Sequence, residues 1–100
     1  MIFLMKFRVF GQSMEPTFNS GQILLVSSLP YLFQNPKPSD VVVIKDPRNG
    51  KLLLKRITKK DIDRFFVVGD NPKLSTDSRI FGPIKKEMIV GKVVYLLRSE

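Results

Sequence analysis

Residues 41–58 read VVVIKDPRNGKLLLKRIT, two apolar runs on either side of a polar centre that holds proline, asparagine and glycine. The β-branched first run and the leucine-rich second one predict strands over Val41–Ile44 and Leu52–Thr58. Asn49-Gly50 stands where a hairpin requires positive φ, so the two strands are expected to pair antiparallel. The same style of short run bounded by Gly, Pro, Asn and Asp recurs in both directions. It predicts further strands over Ile2–Phe10, Gln22–Val26, Arg64–Val68 and Met88–Leu97. Helical periodicity is thin. Residues 27–39, SSLPYLFQNPKPS, carry three prolines and predict a surface loop, unusually apolar at Leu29, Tyr31, Leu32 and Phe33. The expectation is one all-β domain over 1–100, a small coiled or barrel-like antiparallel sheet.

Composition restricts the chemistry more sharply than the fold. The 100 residues include no histidine and no cysteine. Imidazole acid/base chemistry, the Ser-His-Asp triad, thiol nucleophiles and thiolate metal sites are therefore excluded. The acidic residues lack the alternation and central glycine of a calcium loop, so no metal and no cofactor is expected. A net charge of +8 favours anionic partners. The charges are scattered among apolar residues without a basic helix or a stacking motif, which points away from nucleic acid and leaves an anionic membrane surface. MIFLM at the N-terminus is too short to span a bilayer or to form a signal-peptide core.

Three segments hold the remaining reactive groups: GQSMEPTF at 11–18, LLLKRI at 52–57, and VVGDNPKLSTDSRIFGPI at 67–84. A serine between glycine and proline, such as Ser13, is ordinarily turn chemistry. It becomes a nucleophile only with a base beside it. Lys55 follows three leucines in an expected strand, where burial would favour the neutral amine and make it a usable base. The alternative is a packed stem with the ammonium reaching solvent. In the third segment Asp77 and Arg79 read equally as an ion pair that holds a loop. A carboxylate-pair hydrolase built on Asp70 and Asp77 has no sugar-binding aromatic cluster to support it.

Taken in order, GQSMEPTF, SDVVVI, KRI, GDNPKLSTDSRIFG and IVGKVV resemble the conserved boxes of the signal peptidase I family, serine endopeptidases with a Ser/Lys dyad. The resemblance covers residues 9–95. It implies a fold of the signal peptidase and LexA protease type, with Ser13 as nucleophile and Lys55 as general base. It further implies that Ser75 orients the Lys55 amine, that Asp77 pairs with Arg79 to hold the last box, and that Asp70 and Asn71 give structural support. The backbone N–H of Ser13 becomes the main oxyanion donor, and Gly11 stands where some members add a serine hydroxyl. Met14, Phe18, Leu53 and Leu54 fall near the substrate pockets.

Family members usually carry a membrane anchor and an extra lobe between the lysine and closing boxes. Here Gly69 follows Lys55 by only 14 positions (69 − 55), too few for such a lobe. The chain is accordingly expected to be a minimal, anchorless catalytic core, similar to nickel superoxide dismutase maturation proteases, that trims a leader from a precursor protein. Peripheral membrane association is the expected location, and the cytoplasm the alternative for a soluble leader protease. The rival expectation is a non-catalytic β-module that docks on membranes or a protein partner through MIFLM, YLF and the basic surface.

Overall fold

The computed structural model describes residues 4–98 and is built around one antiparallel sheet. Its strands are β1 (Leu4–Arg8), β2 (Ile23–Ser27), β3 (Val41–Lys45), β4 (Leu52–Asp61), β5 (Arg64–Val68), β6 (Ile84–Lys85) and β7 (Ile89–Arg98). They are hydrogen-bonded in the order β1-β2-β7-β3-β4-β5-β6. Two helices of four residues each, α1 (Pro30–Phe33) and α2 (Ser78–Phe81), decorate it. Ile2 and Phe3 of the first expected strand, and Met1–Phe3 of MIFLM, lie outside the described residues.

The β3–β4 hairpin forms with Val41 opposite Arg56 and Lys45 opposite Leu52. Its turn differs from the expected one. Only Gly50 takes positive φ (76°), while Asn49 donates its N–H to the Asp46 carbonyl and Gly50 donates to the same oxygen at 2.7 Å. The connection is therefore a longer loop closed by the glycine, with the Asp46 carboxylate accepting the Arg48 N–H inside it.

Each face of the sheet carries a buried core over part of its area. Val9, Met14, Leu24, Val26, Val43 and Leu54 form one core. Val42, Ile44, Ile57, Phe65, Val67 and Ile84 form the other. Side chains alternate across a strand, so the unbroken VVVI of β3 sends Val43 to the first core and Val42 and Ile44 to the second. Two four-residue helices cannot cover a face, so the strongly coiled sheet covers itself.

The apolar 27–39 segment is not purely a loop, since α1 forms within it. Tyr31 packs on the second core and donates its hydroxyl to Asp40 at 2.7 Å, and Asp40 pairs with Lys92 of β7. Pro36 is fully buried, whereas Phe33 remains 81% exposed.

Candidate active site

The segment after β1 is turned away from the sheet at Gly11, whose φ of 76° is in the left-handed region that suits glycine. Ser13 follows, and three neighbours fix it. Met14 is buried in the first core. Asn71 donates its backbone N–H to the Ser13 carbonyl at 2.8 Å and its side-chain amide to the Gln12 carbonyl at 3.0 Å. Thr17 donates its hydroxyl to Asp70 at 2.6 Å. Among the described residues the Ser13 N–H itself donates no hydrogen bond.

Lys55 sits on β4 opposite Val42, which places its side chain on the second-core face, and only 2% of the residue is exposed. The burial that sequence alone left open is thus settled against snorkelling. Its Nζ lies 3.2 Å from Ser13 Oγ and 3.1 Å from Ser75 Oγ. Burial pushes the amine below its ordinary pKa and nearby Arg79 adds to that, while Asp77 and Asp46 oppose it.

Ser75 in turn donates its hydroxyl to Asp77 Oδ2 at 2.7 Å. Asp77 is fully buried and also accepts from the Gly69 N–H at 2.9 Å, from the Arg79 N–H at 3.1 Å, and from both arms of the Arg79 guanidinium. Burial alone would raise its pKa, but these donors hold the carboxyl well below the usual range. The direction of each proton follows. The Ser75 hydroxyl hydrogen is committed to Asp77, so Ser75 can only accept from Lys55, and the lone pair of a neutral Lys55 amine is left for Ser13.

Sequence reasoning did not assign three supports. Arg56, next to Lys55, makes a two-pronged ion pair with Asp70, both contacts at 2.9 Å, which ties the lysine strand to the segment that grips Ser13. Asp46 and Arg48 repeat the Asp77–Arg79 geometry: each aspartate accepts the N–H and both guanidinium arms of the arginine two residues on. The shared Asp-x-Arg spacing in DPR and DSR was the visible signal for it. Arg48 also lies 5.6 Å from the centre of the Phe81 ring, linking the hairpin loop to α2.

Gly69 is the third support. A Cβ there would stand 2.6 Å from both the Ser13 carbonyl oxygen and Ser75 Cβ. Gly69→Ala is therefore expected to push the two serine segments apart and to lower unfolding free energy by about 2 kcal/mol, read by urea titration.

A cleft of about 410 Å³ opens beside Ser13 and Lys55. One wall is β1, the end strand of the sheet, and the other is Leu52–Lys55 of β4, whose pairing with β5 begins only at Arg56. Of the four expected pocket residues, Met14, Leu53 and Leu54 line it. Phe18 does not; it packs against the first core.

A coiled antiparallel sheet with a buried lysine against a turn serine belongs to a known class of protein. The family described as signal peptidase, peptidase S26, matches residues 1–59 and 61–97, and the chain belongs to that family. It is 33% identical to the mitochondrial ATP-independent inner membrane protease subunit 1a of Arabidopsis thaliana over 86% of this chain and 66% of that protein. It is 28% identical to signal peptidase I V of Bacillus subtilis, over 87% of this chain and 82% of the relative. With human mitochondrial inner membrane protease subunit 1 the identity is 28%, over 85% of this chain and 64% of the relative. The chain thus spans just under two thirds of the length of the mitochondrial proteases it matches.

Proposed function

We propose that this chain is a serine endopeptidase that removes an N-terminal leader from precursor proteins, with Ser13 as nucleophile and Lys55 as general base. The observation that carries it is the buried Lys55 amine 3.2 Å from the Ser13 hydroxyl, with its other contact on a serine whose proton is already given to Asp77. The names of the relatives support the substrate class.

The chemistry runs in two halves. The neutral Lys55 amine takes the Ser13 proton as Oγ attacks the scissile carbonyl, and the resulting ammonium returns a proton to the departing amine. Water then enters and attacks the acyl carbon as Lys55 takes one of its protons, and Lys55 returns that proton to Ser13 Oγ as the acyl–oxygen bond breaks and the leader leaves as a carboxylic acid. The unengaged Ser13 N–H is suited to the oxyanion. Gly11 supplies no hydroxyl, so the second donor is backbone or water. An extended leader segment fits between the free edges of β1 and β4, where Met5, Phe7, Val9, Met14 and Leu54 offer an apolar floor for small side chains.

The test is mass-spectrometric cleavage of leader peptides carrying small residues at varied positions. Discrete cuts after small residues are expected. A folded protein that cuts none of them, with or without lipid vesicles, overturns the reading. The rate should also rise with pH through one ionisation and level off below the ordinary lysine value of 10.5, because only the free amine is the base. A chemistry-limited rate that stays flat from neutral to alkaline pH removes lysine from that role.

Peripheral membrane contact is part of the same proposal. Leu29, Leu32 and Phe33 are exposed together in a chain of net charge +8, which suits weak binding to anionic lipid. No helix among the described residues is long and apolar enough to cross a membrane. Co-sedimentation with anionic vesicles at low salt is expected, and its absence removes this part.

A further inference from the structure

The floor of the cleft is apolar, but its rim carries charge of one sign. Among the described residues, Lys6, Arg8 and Lys55 are the charged ones that line it, and no acidic side chain does. Lys55 is committed to Ser13 and Ser75. Lys6 and Arg8 are different: both are exposed, and neither side chain forms an ion pair or hydrogen bond among the described residues. Their cross-strand neighbours on β2 are apolar, Leu25 opposite Lys6 and Ile23 opposite Arg8.

Strand geometry fixes where these cations point. Along β1 the exposed Leu4, Lys6 and Arg8 alternate with Met5 and Phe7, which pack on the first core. Lys6 and Arg8 therefore stand on the outer face about 6.6 Å apart, the two-residue repeat of a strand. A second hollow of about 480 Å³, lined by Lys6, Arg8, Ile23 and Leu97, lies on that outer side. A segment docked on the free edge of β1 has the same repeat. Every second side chain would face the apolar floor, and those between would lie beside Lys6 and Arg8, at the Cβ separation of about 5 Å typical of cross-strand pairs.

We infer that the precursors this site favours carry acidic side chains at two alternate positions of the leader, read by Lys6 and Arg8, with small apolar residues at the positions between. The inference rests on the endopeptidase reading above and adds a substrate class to it. Opposite charges across a strand pair favour binding, and like charges oppose it, so the same two residues reject leaders with lysine or arginine there.

The experiment uses the full chain and synthetic leaders in which a Glu-x-Glu, Gln-x-Gln or Lys-x-Lys pair is walked one residue at a time. At one phase the Glu pair should raise kcat/KM about fivefold over the Gln pair, which is about 1 kcal/mol, and the Lys pair should lower it by a similar factor. Shifting the pair by one residue, onto the apolar floor, should abolish the gain. The preference should shrink when salt rises from about 0.05 to about 0.5 M. In the double reversal Lys6→Glu, Arg8→Glu the order of the three leaders should invert. Cleavage of all three within twofold at every phase, or an order that survives the double reversal, overturns the inference while leaving the endopeptidase intact. Failure to cut any leader overturns both.

Discussion

Lys55→Met should lower kcat for leader cleavage by about 10⁴-fold while leaving the thermal midpoint unchanged or higher. The first half follows from the proposed base role: without the amine, no other group among the described residues hydrogen-bonds Ser13 Oγ to take its proton. The second half follows from burial. Lys55 is almost wholly enclosed on the face of the second core, and a methionine of similar length keeps the packing without the cost of an amine out of water. Ser13→Ala should give a comparable loss, and the double variant should be no worse than either single one, because the two groups act as a unit. More than a tenth of wild-type activity in Lys55→Met, with chemistry limiting, removes the lysine from the mechanism.

Asp77→Ala should be the most damaging change to the fold that leaves both proposed reacting groups in place. It deprives the Gly69 N–H and the Ser75 hydroxyl of their acceptor in the interior and leaves α2 without its N-cap. A loss of about 3 kcal/mol in unfolding free energy is expected by denaturant titration. Activity measured on the folded fraction should also fall, by about 10- to 100-fold. Without Asp77 the Ser75 hydroxyl is free to donate to the Lys55 amine and occupy the lone pair meant for Ser13. The pH dependence gives a separate check. Because the folded carboxyl titrates below the unfolded one, its stabilisation is present above about pH 4 and is lost as pH falls through the depressed folded value. Wild-type stability should therefore decline in acid more steeply than that of Asp77→Ala, and equal slopes would contradict the assignment.

The strands were legible because their punctuation is strong. β3, β4, β5 and β7 lie within a few residues of their expected bounds, and the β3–β4 pairing follows from Gly50 even though Asn49 does not share its conformation. The four-residue helices were not legible, since a single turn is too short to show a period. β6 has only two residues and no pattern at all.

At the site, the residue types that carry reactive groups could be named from three short segments, but their environment could not. Whether Lys55 is enclosed depends on Ser13 and Ser75 closing over it from distant parts of the chain. The family resemblance put Phe18 beside Met14 near the pockets, yet the turn after Ser13 sends Met14 to the cleft and leaves Phe18 against the first core. The Arg56–Asp70 ion pair and the missing Cβ of Gly69 are contacts between segments, which no local pattern encodes.

The alternation along β3 reaches further than packing. Ser13 is held through Met14 in the first core, whereas Lys55 extends over the second, on the far side of the same strands. The 3.2 Å between them is thus a gauge of how two separately packed layers are aligned. Partial opening of either layer would pull the pair apart while most of the chain stays folded. Under the proposed mechanism, warming should therefore abolish cleavage below the melting point, leaving a half-open copy unable to cut its surroundings.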